Sequence, residues 1–91
     1  MKTLEQIFPL KGFITQEIID KSYTYDTYNC IGTNTLREAL GEDVKLFYGL
    51  GWGRTVGCNY HIREGGVCIG TVEDIDFMRV QSPQEVTFII L

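Results

Sequence analysis

The apolar positions of this chain change period near Gly41, from helical spacing before it to alternation after it. Leu4, Ile7 and Phe8 are spaced like a short helical face that Pro9 must end, and residues 1–13 stay open between helix and other structure. Thr15 stands where it can cap a short helix over 16–22, with Glu17 in the positive first turn and Ile18 and Ile19 toward a core. A longer stripe follows. Tyr28, Ile31, Gly32, Thr35, Leu36, Ala39 and Leu40 fall at i, i+3, i+4, i+7, i+8, i+11 and i+12 of one helix. Asp26 is positioned to cap its start, and Gly41 occupies the place of a left-handed residue just past its end. Propensity works against this helix, because Thr27, Gly32, Thr33, Asn34 and Thr35 are all poor helix formers. Gly32 and Thr35 within the stripe predict a narrow face pressed close to a sheet.

From Val44 the period is two. Val44 to Tyr48 alternate as one strand, and Val56, Cys58, Tyr60 and Ile62 as the next. Glu64-Gly65-Gly66 has the residues of a tight hairpin turn, after which Val67 to Val72 returns. With Glu64 and Gly65 as the loop, Ile62 pairs with Val67, Tyr60 with Ile69 and Cys58 with Thr71, all on one face. Residues 73–81 read either as a helical turn or as a strand, and Ser82-Pro83 marks a turn. Glu85 to Leu91 is the last strand; apolar residues on both of its faces predict cover on both sides, from the helices and from a second subunit. The expected fold is α+β: two short N-terminal helices packed on a four- to five-stranded, mostly antiparallel sheet, a meander.

Composition narrows the function classes. The 91 residues are 44% hydrophobic and 22% charged, the balance of one globular domain spanning 1–91. Net charge is −4, and no two of the eight Lys and Arg residues are adjacent, so direct nucleic-acid binding is not expected. The same charge is too weak for an acidic mimic of DNA. The longest apolar run, Phe88 to Leu91, is far below the roughly 20 residues that span a bilayer, so no membrane association is expected. Three cysteines, Cys30, Cys58 and Cys68, with no CxxC spacing argue against a disulfide framework and a structural zinc, and a reducing cytoplasm is the simplest home. No cofactor is implied.

The most unusual segment is Gly49-Leu50-Gly51-Trp52-Gly53-Arg54, three alternating glycines around the single Trp. Trp52 and Arg54 are of the types most enriched at binding hot spots, with Gly51 and Gly53 shaping the loop. The alternative is a bulged turn whose Trp52 folds back to cap the core, the commoner fate of a lone Trp. A phosphate loop is not supported, because these glycines lead into a strand rather than a helix N-terminus. Tyr23 and Tyr25, in Tyr23-Thr24-Tyr25-Asp26-Thr27-Tyr28, are the second binding candidates, since tyrosine offers area and a hydroxyl at low entropic cost. Their structural alternative is cover for the core edge. His61 falls across from Cys68 in the expected hairpin, the minimum for a thiolate nucleophile, though a cross-strand pair is an ordinary contact and no orienting group is defined. Glu73-Asp74-Ile75-Asp76 reads as a solvated acidic turn without the ligand spacing of a calcium site.

The expected function is non-enzymatic binding to another protein, as an inhibitor or accessory protein of the kind phages and mobile elements carry. Two competitors stand beside it. One is a structural homo-oligomer, a homodimer or virion component, in which Val86 to Leu91 pairs between subunits. The other is a cysteine-dependent enzyme acting through Cys68 and His61.

Overall fold

The computed structural model describes residues 3–23, 29–41, 54, 56–59 and 66–91; the strand expected at Val44–Tyr48 lies outside them. The class is α+β. The chain opens with α1 (Leu4–Ile7), a single turn closed by reciprocal capping. Thr3 N–H donates to Gln6 Oε1 at 2.9 Å, and Gln6 N–H donates to Thr3 Oγ1 at 3.3 Å. The Phe8–Pro9 peptide is cis, and β1 (Leu10–Ile14) starts directly after it.

That strand is absent from the sequence-based expectation, for a reason visible at Gly12. Gly12 and Ile14 face inward and Lys11 and Phe13 outward, but the inward row shows no apolar side chain at its centre. Gly12 is required by close approach: a Cβ there would meet Phe88 Cε2 at 2.8 Å and Val86 Cγ2 at 3.3 Å.

Thr15 caps α2 (Gln16–Lys21) as its position predicts, accepting the Ile18 N–H at 3.1 Å. Ile18 is fully buried and Ile19 half-buried. The next helix, α3 (Ile31–Leu40), begins later than the stripe implies. Its cap is Cys30, not Asp26: Cys30 Sγ accepts the Thr33 N–H at 3.4 Å, and its thiol donates to Thr33 Oγ1 at 3.1 Å. A capping sulfur at Cys30 sets the helix start, so Asp26 and Tyr28 precede it. Gly41 ends the helix at φ +54°, where its N–H reaches the Arg37 carbonyl. Of the poor helix formers, Gly32, Thr33, Asn34 and Thr35 are buried within α3. Thr35 Oγ1 donates to the Ile31 carbonyl at 2.7 Å, and Asn34 ties α3 to the end of α2.

Three more strands follow, β2 (Val56–Asn59), β3 (Gly66–Thr71) and β4 (Gln84–Ile90), with a 3-10 turn at Phe77–Arg79 between the last two. The sheet order is β1-β4-β3-β2 with every neighbouring pair antiparallel. β2, β3 and β4 follow the chain as a meander does; β1 departs from it by adding beside β4, the strand farthest from it in sequence. Residues 73–81 supply the turn and no strand.

The hairpin register is corrected. Val56 pairs with Ile69, Gly57 with Cys68, Cys58 with Val67 and Asn59 with Gly66. Relative to the expected pairing this is a slip of four residues, which sets Gly66, expected next to the turn, opposite Asn59 within the ladder. A slip by an even number preserves which residues share a face, so burial alone does not distinguish the two registers.

β4 is also placed differently from the expectation that it pairs between subunits. It lies between β1, which pairs with residues 84–88, and β3, which pairs with residues 88–90, so both of its sides have a neighbour within one chain. Its inward row, Val86 and Phe88, is fully buried; outward, Thr87 and Ile89 are half-buried, and Leu91 beyond the strand is 65% exposed. Among the described residues the core takes Phe88, Ile14, Ile69 and Val86 from the sheet, Leu36 and Leu40 from α3, Ile7 from α1, and Phe8, Ile75 and Phe77 from the connecting segments. Phe77 stacks on Phe88 with ring centres 6.1 Å apart.

Candidate functional site

Arg54, the residue that closes the Trp52 loop in sequence, meets the acidic turn between β3 and the 3-10 turn. Its Nε lies 3.4 Å from Asp74 Oδ2 and its Nη1 4.0 Å from Asp76 Oδ2. Asp76 is held in turn: it accepts the Met78 N–H at 3.1 Å as the cap of the 3-10 turn and lies 3.5 Å from Arg79 Nε. Asp74 adopts φ +53°, a left-handed position that aspartate tolerates, and its N–H donates to the Thr71 carbonyl at 3.1 Å. Thr71, itself buried, accepts the Ile75 N–H on its hydroxyl at 2.9 Å. The turn that faces Arg54 is therefore bonded at Thr71, Asp74, Ile75 and Asp76.

Glu73 completes this segment. Its carboxylate accepts the Thr87 N–H at 2.8 Å, where β4 has no strand partner for that donor. That bond to the charged form is the main reason its carboxyl titrates below the usual value of 4.5, opposed by slight desolvation and assisted by the Lys11 charge. The acidic run is thus a structural clasp as well as a solvated turn.

Tyr23 sits 68% exposed at the end of α2. Its N–H donates to the Asn29 carbonyl at 2.9 Å, and Asn34 Nδ2 donates to the same carbonyl at 3.2 Å and to Ser22 Oγ at 2.9 Å. Arg37 Nη1 donates to Asn34 Oδ1 at 3.2 Å. The two ends of the tyrosine-rich segment are bonded to one another and to α3.

Of the residues singled out from sequence, Arg54 and Tyr23 are placed, each at the stem of a loop; Tyr25, Gly51, Trp52 and Gly53 lie outside the described residues. No hydrogen bond or ion pair joins Arg54 to Tyr23 among the described residues. The residues that sequence reasoning missed are the holders: Asp74 and Asp76 for Arg54, and Asn29 and Asn34 for Tyr23. Only the acid run carried a visible signal, an arginine placed opposite in charge.

The cysteine pair is corrected. Cys68 lies opposite Gly57, so the register that set His61 across from it does not hold; His61 itself is outside the described residues. Cys68 is a free, exposed thiol and Cys30 a free thiol engaged in capping. Among the described residues no group of three or more His, Cys, Asp or Glu could hold a metal ion, and no helix is long and apolar enough to cross a membrane.

The described residues define an α+β domain in which Arg54 is paired with the Asp74–Asp76 turn and Tyr23 is bonded to Asn29. Comparison with family models, with curated proteins and with solved structures finds no match to this chain.

Proposed function

We propose that this protein is a small, non-enzymatic protein-binding module, an inhibitor or accessory protein of the type found on phages and mobile elements. Its recognition residues are Trp52 and Arg54 on one loop and Tyr23 and Tyr25 on the other. The observation that carries the reading is the anchoring of Arg54. Its side chain is 58% exposed yet held at 3.4 Å from Asp74 on a hydrogen-bonded turn. Binding residues concentrate on loops positioned by a rigid scaffold, and a charged group already held in place loses less freedom when a partner arrives. An exposed ion pair of this kind contributes at most about 1 kcal/mol to folding, so Arg54 is free of any large structural duty.

The test is affinity capture from a native host lysate with the wild-type chain, Trp52→Ala and Arg54→Ala, each checked for folding by circular dichroism. A partner held by the wild type and lost from both folded variants supports the reading. Equal capture by all three folded proteins overturns it.

A further inference from the structure

The edge of β1 away from β4, along which no described strand lies, is a surface that the loop reading does not use. Backbone direction along this edge follows from β4. Val72 N–H donates to the Thr87 carbonyl at 2.9 Å and Thr87 N–H donates to Glu73 at 2.8 Å, so the polar groups of Thr87 point toward β3. In an antiparallel sheet the direction alternates residue by residue, so Val86 and Phe88 point toward β1 and bond with Gly12 and Leu10, their register partners. The N–H and C=O of Lys11 and Phe13 therefore point away from the sheet. Among the described residues no strand lies on that side. The edge opens into a groove of about 400 Å³ bounded by Thr35, Glu38 and Ala39 of α3, and Phe13 beside it is 51% exposed. An unpaired edge flanked by an exposed aromatic is a template for another strand.

We infer that the occupant of this edge is β1 of a second copy of the chain, paired antiparallel about a two-fold axis through Gly12. Three features select it. Overlap of all five residues Leu10–Ile14 in a symmetric antiparallel pair occurs only with Gly12 opposite its own copy. In that register Lys11 lies opposite Phe13 of the second copy, and these are the residues whose backbone groups point outward, so both exchange N–H···O bonds. Charges match as well. Glu85 neighbours Phe13 on β4, giving an outer-face row of Glu85, Phe13, then Lys11 of the second copy, an acid, an aromatic and a base in sequence. Sliding the pair to set Lys11 against its own copy opposes like charges, which cross-strand pairing disfavours.

The experiment is amide hydrogen exchange and light-scattering mass on the full chain across a concentration series, with Lys11→Pro and Lys11→Thr as variants. Proline removes only an outward N–H and is tolerated on an edge strand, while threonine keeps that N–H. Self-pairing predicts a dimer mass at high concentration, retained by Lys11→Thr and lost by Lys11→Pro. It further predicts that exchange of the Lys11 and Phe13 amides in the wild type slows by at least about tenfold as the dimer forms. A monomer at every concentration overturns the inference. So does a dimer in which these two amides exchange freely, a readout that needs no variant to fold.

Discussion

At the residue scale, the most consequential polar contact is one that composition hides. Glu73 reads as one acid among several, yet its carboxylate takes up the Thr87 N–H at 2.8 Å and thereby joins the β3–β4 turn to the middle of β4. Its folded-state carboxyl titrates below 4.5, so the sign is that of an acid stabilised in its charged form. The contribution to stability is fully present above about 4.5 and is lost as pH falls through the lowered folded value. Glu73→Gln is expected to lower the unfolding free energy at neutral pH by under about 1 kcal/mol, as for a surface hydrogen bond, read as a lower urea midpoint. The gap between variant and wild type should close on acidification; a gap that stays constant in urea titrations across that pH range would contradict the assignment. Gly12 makes the opposite point about legibility. The sequence shows a glycine after a proline and hides a strand, because the inward surface at that position is supplied by the Phe88 ring, 76 positions away by chain order, rather than by Gly12 itself.

At the element scale, α2 was legible because its cap is local: Thr15 and Ile18 are three residues apart, and their bond needs nothing from elsewhere. The start of α3 was not. Asp26 is the stronger capping type, but Cys30 is the residue in place, and the choice depends on how α3 docks against α2 through Asn34 and Ser22. The buried polar row Thr33, Asn34 and Thr35 looks like poor helix material, yet within it Asn34 works as the joint to the end of α2. Asn34→Ala is expected to cost about 1–3 kcal/mol, since it strips bonds from Ser22 Oγ and the Asn29 carbonyl in a half-buried setting. Chemical denaturation measures this directly, and a change below a few tenths of a kcal/mol would show the joint to be dispensable. The hairpin slip has a similar origin: side-chain alternation defines the face but not the register, and Gly66, a turn residue by type, lies within β3 opposite Asn59.

At the scale of the whole molecule, the α+β class follows from the change of period near Gly41, while the placement of β1 beside β4 joins the two ends of the chain and leaves no trace in any local window. The candidate site was legible by residue type at Arg54 and Tyr23, but the acids and amides that hold them come from distant turns. The closed neck at Tyr23 and Asn29 has an engineering consequence. The bonds that fix it run through the backbone of Tyr23 and Asn29 and through Asn34, so the frame itself pins the chain on either side of positions 24–28. Doubling a flexible loop in length costs only about 0.6 kcal/mol of closure entropy. Replacing 24–28 with a ten-residue Gly/Ser stretch should therefore shift the melting temperature by only a few degrees, roughly as that cost implies for a small domain. Calorimetry of the grafted chain checks it, and loss of cooperative melting would mean that positions 24–28 are part of the frame. A neck that held through that exchange would make the chain a compact carrier for foreign peptides.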